Sequence, residues 1–211
     1  MKISMYFFSS DETCCGAPAV APGYGFTPQG RWRPLPLPRG AALALDDRFL
    51  PGPEGLREAL DALRAWQGGI LCDFERPRAP ALARLLEALA GRDAAVPPGY
   101  ADLPHSRVLV GPYLPGRSFS RWLADRRERY GELLLDGAPI RHRAVPGAAP
   151  VYYPGPLPGA GLPCPGALCL HRRQPDGAVL FWDSLETLRA RCAAAGIPVI
   201  AAPADWNALE K

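Results

Sequence analysis

Residues 68–75, Gly-Gly-Ile-Leu-Cys-Asp-Phe-Glu, contain the pattern from which the fold is predicted. Three apolar residues, Ile70 to Cys72, are followed by the acidic Asp73. This pattern is typical of a parallel strand that is buried on both faces and meets solvent at its carboxyl end. A helical stripe of apolar residues precedes this strand, with Pro53 in its first turn, and a second stripe follows it. The stripes consist of Leu56, Ala59, Leu60, Leu63 and Trp66, and of Leu82, Leu85, Leu86 and Leu89.

The alternation of strand and helix continues along the chain. Further strands are expected at residues 41–47, 94–97, 107–113, 133–135 and 197–201, and a helix at 118–130. Such alternation implies a parallel sheet with helices outside it. We therefore predict an α/β fold, a small (βα)8-type barrel forming a single domain over residues 1–211.

Two Pro- and Gly-rich segments interrupt the pattern. The first, at residues 16–40, is predicted to be a long loop or an irregular barrel segment, and the second, at residues 144–166, is predicted to be a loop. The first leaves too little chain for two full strand–helix units, so the N-terminal third is expected to be incomplete or irregular. Asp176-Gly177 between two apolar runs predicts a β-hairpin. Asp183 and Glu186 resemble a capping pair for the helix that ends at Gly196.

Composition favours a globular protein without a membrane anchor. The chain is 48% hydrophobic and 21% charged, and no segment approaches the roughly 18 apolar residues that a membrane span needs. The N-terminus resembles a first strand more than a secretory signal, so a cytoplasmic location is the default. The net charge of +3 is small, and the densest basic stretch, residues 121–129, also carries acidic residues, so nucleic acid is not an expected partner.

Two acidic residues at the end of the central strand are the leading candidates for chemistry. Residues two apart in a strand share a face and lie roughly 6.5 Å apart, so Asp73 and Glu75 would both project into the mouth of a barrel. One of two such carboxylates can stay charged while the other acts as a general acid. The alternative is a structural pair that contacts Arg76 and Arg78.

Other residues give weaker signals. Asp46 and Asp47 are expected to add carboxylates to the same mouth as substrate-binding groups. The spacing of Cys14-Cys15 and of Cys164 and Cys169 does not fit a zinc site, and the three histidines are isolated, so neither a metal nor another cofactor is expected. No nucleophile elbow, phosphate loop or dinucleotide fingerprint is present.

The segment that ends in Asp73-Phe74-Glu75 resembles the fourth-strand signature of family-18 glycoside hydrolases, the chitinase-like TIM barrels. The final aspartate, the aromatic residue and the glutamate match that signature. The resemblance implies that Glu75 protonates the glycosidic oxygen and that Asp73 orients the acetamido group of the substrate, which itself is the nucleophile. Leu71 and Gly68 stand where the family has further aspartates.

The similarity extends over about residues 41–206. Residues 108–113 are similar to the sixth strand of the family, which implies that Tyr113 contacts the reacting acetamide. Residues 133–142 are similar to the seventh strand, and residues 176–188 to a late hairpin and its following helix. By the same resemblance Trp206 would form the aromatic floor beneath the sugar.

The leading hypothesis is therefore a glycoside hydrolase-like protein that binds or cleaves a glycan containing N-acetylhexosamine, with Glu75, Asp73 and Tyr113 as catalytic residues. Which glycan it takes, and whether it is an enzyme, stay open. The alternative is a catalytically inactive barrel that serves as a carbohydrate-binding or interaction module. A third hypothesis is unrelated carboxylate chemistry, which a metal between Asp46, Asp73 and Glu75 would favour.

Overall fold

The computed structural model describes residues 5–8, 13–14, 17–33, 35, 42–116 and 118–201, and it describes side chains from Val20 onward. Helices α1 to α4 span Pro53–Ala65, Pro80–Ala88, Phe119–Tyr130 and Leu185–Ala195, and a 3-10 turn spans Pro98–Tyr100. Strands β1 to β7 span Met5–Phe8, Thr13–Cys14, Ala17–Tyr24, Ala42–Asp46, Ile70–Asp73, Ala94–Val96 and Arg107–Val110. Strands β8 to β14 span Leu133–Asp136, Arg141–Ala144, Val151–Tyr152, Leu162–Cys164, Cys169–Arg173, Val179–Trp182 and Val199–Ala201.

A curled sheet of mainly parallel strands forms the centre of the protein. Its order is β1-β14-β8-β7-β6-β5-β4-β3-β2, and the short β2 is antiparallel to β3. Strand β1 pairs in parallel with β14 and also with β3, where Phe7 lies opposite Ala19. Helices α1 and α2 connect β4 to β5 and β5 to β6, as the sequence pattern predicts. The expected α/β class with a parallel sheet is confirmed.

Both faces of this sheet are buried. Successive side chains of each strand point to opposite sides, so each strand contributes to both layers. The concave face holds a small apolar cluster formed by Val20, Ala44, Leu71, Ala95, Leu134 and Ile200. The opposite face packs against the helices and belongs to the larger core, which includes Leu43, Cys72 and Leu135. Leu71 is therefore an inner residue, whereas its neighbour Cys72 faces the helical layer.

The first Pro-rich segment is not all loop, because part of it forms an irregular strand of the sheet. Residues 17–24 form β3, which pairs with β4 from Val20 opposite Ala42 to Tyr24 opposite Leu45. The register shifts between Ala21 and Tyr24, where the sequence is Pro-Gly. Proline lacks the N–H that a ladder needs, so the strand is irregular there and its apolar alternation is hidden in the sequence.

A second, antiparallel sheet follows β8, in the order β10-β9-β13-β12-β11. The predicted hairpin at Asp176-Gly177 is confirmed, because β12 and β13 pair around it and Gly177 has a φ of 82°. The second predicted loop, at residues 144–166, instead contains the short strands β10 and β11. These strands are only two and three residues long, which gives too little alternation to recognise.

The predicted capping pair of α4 was also wrong. The N-cap is Ser184, which forms a reciprocal capping box with Thr187. Asp183 is fully buried instead, and its carboxylate accepts hydrogen bonds from Arg191 at 2.7 Å and from the Ile140 amide at 2.7 Å. This carboxylate therefore ties α4 to the chain segment between the two sheets. Among the described residues, no helix has the length and apolar character to cross a membrane.

We predict that Arg191→Met destabilises the protein by about 3–5 kcal/mol, because it leaves the Asp183 carboxylate buried without its cation. Urea denaturation followed by circular dichroism measures this loss. The matched control is Arg57→Met, whose partner Glu54 lies 3.7 Å away in an exposed pair, and which should cost less than about 1 kcal/mol. Equal losses in the two variants would contradict the assignment.

Candidate functional site

Three strands of the curled sheet end in an aspartate on the concave face. Asp46, Asp73 and Asp136 each lie two residues beyond a member of the inner apolar cluster, namely Ala44, Leu71 and Leu134. Residues two apart share a face, so the three carboxylates extend the inner rows at the carboxyl ends of β4, β5 and β8. Asp46 and Asp73 are direct neighbours in the ladder. Together with Glu75, we call these residues the acidic mouth.

Asp73 is the member whose ionisation is most affected by its surroundings. Its side chain is exposed, yet nearby protein atoms partly desolvate it, and this desolvation is the largest cause that raises its pKa. The negative charges of Glu75, Asp136, Asp47 and Asp46 raise the pKa further, in that order. A carboxyl that holds its proton more tightly results.

Asp47 has a structural role in this arrangement. It is only 4% exposed, and its carboxylate accepts hydrogen bonds from the backbone N–H groups of Glu75, at 3.1 Å, and Arg76, at 2.8 Å. Asp47 therefore holds the backbone that follows β5 and so fixes the position of the Cα atom of the exposed Glu75. The sequence placed Asp47 in the mouth as a substrate ligand, whereas its described contacts are with the backbone.

Asp46 lies beside a cation, the guanidinium of Arg33. Its Oδ2 atom is 3.9 Å from Nη1 of Arg33, and its Oδ1 atom accepts a hydrogen bond from the Arg48 amide. A Cβ atom at Gly25 would lie 2.9 Å from Oδ1 of Asp46, so glycine lets the chain after β3 pass this carboxylate closely. Asp46 is therefore held at the edge of the mouth.

Asp136 is the site residue that the sequence analysis missed. Its Oδ1 atom accepts a hydrogen bond from the Ala138 amide at 2.9 Å. A Cβ atom at Gly111, where φ is 142°, would lie 2.6 Å from the Cβ of Asp136, so β7 and β8 can approach here only with glycine. The sequence did carry a signal, since Leu133-Leu134-Leu135-Asp136 repeats the pattern of apolar residues ending in an aspartate.

Tyr113 lies in the aromatic core. It is 4% exposed, and its ring packs edge-on against Phe119 at 5.2 Å and Trp122 at 5.3 Å between centroids. Burial, followed by the neighbouring Cys169 and Cys164, raises the pKa of Tyr113 to about 12. These ring contacts place Tyr113 beside α3. It matches a packed aromatic residue at a strand end.

Two further expectations concern Trp206 and a metal. Trp206 lies outside the described residues. Within the described parts of the chain, no group of three or more His, Cys, Asp and Glu side chains has an arrangement that could hold a metal ion.

Asp47→Ala is expected to destabilise the protein by about 1–3 kcal/mol, since it leaves the partly buried amides of Glu75 and Arg76 without their acceptor. Urea denaturation gives the loss, and hydrogen exchange should accelerate at these two amides. Asp61→Ala, on the exposed side of α1, is the control and should leave both measurements near wild type. Unchanged exchange at Glu75 and Arg76 would count against the bracing role of Asp47.

Asp73→Asn is expected to raise the melting temperature at neutral pH. The raised pKa means that the folded protein binds this proton more tightly than the unfolded chain does, so the stability from Asp73 is lost as pH rises through its pKa values. Below about pH 3.9 the carboxyl is protonated in both states, and the advantage of the variant should vanish. Thermal unfolding across pH, with the exposed Asp125→Asn as control, checks the sign.

Comparisons of the chain with models of known protein families, with curated proteins and with solved structures gave no match.

Proposed function

We propose that the curled sheet is a compact, irregular (βα)8-type barrel and that the acidic mouth acts on a glycan containing N-acetylhexosamine. The order of the parallel strands supports this proposal. Along the ring of pairings β1, β3, β4 and β5, Asp73-Phe74-Glu75 follows the fourth strand, which is the strand that carries the matching signature in chitinase-like barrels. This agreement is the observation that carries the proposal.

Local packing supports different roles for Phe74, whose ring is buried, and for its two acidic neighbours, whose side chains are exposed. Phe74 is 8% exposed and packs edge-on against Tyr100, with 5.4 Å between ring centroids. Asp73 and Glu75 are exposed on either side of it in sequence. Alternation of the chain past the strand end thus anchors the aromatic ring in the core and leaves both carboxylates at the mouth.

In this proposal Glu75 donates a proton to the glycosidic oxygen as the bond to the anomeric carbon breaks. The acetamido oxygen of the same sugar attacks the anomeric carbon, and the resulting cyclic intermediate is opened by water. Asp73 accepts a hydrogen bond from the acetamido N–H and so orients it. Glu75 then takes a proton from the attacking water, which returns it to its acid form.

Asp136 supplies a second carboxylate near Asp73. The family carries an aspartate two residues before the residue that matches Asp73, and in this chain that position is Leu71, which is buried in the inner cluster. Asp136 comes from β8 instead, and its charge raises the pKa of Asp73. We therefore include Asp136 among the proposed site residues, as a positioning residue that influences the proton on Asp73.

A non-catalytic carbohydrate-binding barrel is the second candidate. Two observations favour it: Leu71 is apolar where the family has an acid, and Tyr113 is packed between Phe119 and Trp122. A mouth with Asp73 and Glu75 but without the neighbouring acid and tyrosine could still hydrogen-bond a sugar. Such a protein would bind the same class of glycan without cleaving it.

The test is incubation of the purified protein with N-acetylglucosamine oligomers and with peptidoglycan fragments, followed by mass spectrometry of the products. Glu75→Gln is expected to lower the rate of cleavage by about 10²–10⁴-fold, the usual contribution of a general acid. The control is Glu87→Gln, an exposed residue on α2 that should retain full activity.

Equal cleavage by the wild type and by Glu75→Gln would rule out the catalytic form of the proposal. Calorimetric binding of the oligomers without products, weakened by Asp73→Asn, would select the binding module. Neither cleavage nor binding of these glycans would overturn both forms and leave only the architecture.

A further inference from the structure

Two cysteines face each other across the hairpin that β11 and β12 form. Cys164 and Cys169 are direct partners in the antiparallel ladder. Directly opposed residues have Cα atoms about 4.5 or 5.5 Å apart, and both values lie within the range of about 4.4–6.8 Å that a disulfide spans. Their side chains leave the same face of the sheet, and Cys164 lies close enough to Cys169 to contribute to the raised pKa of the Cys169 thiol. Both are free thiols in this structure.

The surroundings of the two thiols differ. Cys164 is partly exposed, whereas Cys169 is 1% exposed and lies near the buried Asp183. Burial and the negative charge of Asp183 raise the pKa of Cys169 to about 12. An external oxidant therefore reacts with Cys164 first. Cys169 is placed to react only afterwards, with the sulfur of the modified Cys164.

The turn of this hairpin also contacts α3, a helix that packs against the central sheet. The Gly166 carbonyl accepts a hydrogen bond from the Phe119 amide at 2.7 Å. The N-cap residue of α3, Ser118, makes no capping bond with its side chain, so the hairpin turn supplies the acceptor at this helix end. The segment before α3 follows β7 and includes Gly111, which contacts the strand of Asp136.

We propose that Cys164 and Cys169 form a reversible disulfide that closes the β11–β12 hairpin and fixes its turn against the N-terminus of α3. The oxidant is a low-molecular-weight disulfide. The Cys164 thiolate attacks one of its sulfurs, which forms a mixed disulfide and releases one thiolate. The Cys169 thiolate then attacks the Cys164 sulfur, which forms the internal disulfide and releases the second thiolate.

The step is balanced without another reactant. Two cysteine thiols lose two electrons and two protons, and the external disulfide takes them up as two thiols. A reducing thiol reverses the reaction by the same exchange. Because the loop between Cys164 and Cys169 is short and already ordered, we expect the disulfide to change the opening of this turn more than the global fold.

The test uses the full chain treated with oxidised glutathione, then iodoacetamide, then trypsin and mass spectrometry. No Lys or Arg lies between Arg143 and Arg172, so both cysteines fall in the peptide of residues 144–172 and the other cysteines in different peptides. We expect this peptide to lose both alkylation sites and to be lighter by two hydrogen atoms. Treatment with dithiothreitol after the oxidation and before iodoacetamide should restore both alkylation sites.

Two variants separate the roles of the thiols. Cys169→Ser should keep a stable glutathione adduct on Cys164, because the resolving thiol is absent, and Cys164→Ser should leave the buried Cys169 unmodified. An unmodified peptide 144–172 in the oxidised wild type would overturn the proposal. So would a link from Cys164 to another cysteine. These wild-type outcomes decide the matter even where a variant fails to fold.

Hydrogen exchange tests the link to α3. The Phe119 amide should exchange several-fold more slowly in the oxidised protein than in the reduced protein, and Cys164→Ser should show no such difference. Equal exchange rates in the two redox states of the wild type would overturn the part of the proposal that concerns the helix end.

Discussion

The two-sided burial of short parallel strands is the constraint on which the rest of this structure depends. Each strand places alternate residues in the inner apolar cluster and in the core beneath the helices, so its register fixes both layers together. A shift of one residue in β5 would move Leu71 into the helical layer and Asp73 into apolar surroundings. The position of the acidic mouth therefore follows from core packing, without a separate device to hold it.

The acidic mouth contains more negative charge than stability alone would favour. Asp46, Asp73 and Asp136 come from strands that must lie side by side or face one another, and the pKa of Asp73 rises as a result. The fold compensates in part through backbone donors, since the amides of Arg48 and Ala138 bind Asp46 and Asp136. Strained electrostatics of this kind are frequent at functional sites, which is why the carboxylates support a functional proposal better than the buried Tyr113 does.

A second buried network connects the two sheets. The Asp183 carboxylate accepts hydrogen bonds from Arg191 and from the Ile140 amide, and Cys169 lies close enough to this pair for its ionisation to be affected. The β11–β12 turn in turn caps α3 through Gly166. The antiparallel sheet is thus joined to the central sheet by directional contacts as well as by a shared apolar core, and Cys169 belongs to that core.

The sequence by itself determined the strand and helix alternation and the hairpin at Asp176-Gly177, because each follows from a local pattern along the chain. Only the tertiary structure decided the rest. The charge of Asp136, from a strand far away in sequence, raises the pKa of Asp73, and Asp47 accepts hydrogen bonds from backbone amides 28 and 29 residues away. Tyr113 enters the aromatic core because α3 packs over it. Contacts between distant segments leave no periodic signal in a single sequence. The sequence alone therefore could not show which aspartates and aromatic residues belong to the candidate site and which have a structural role.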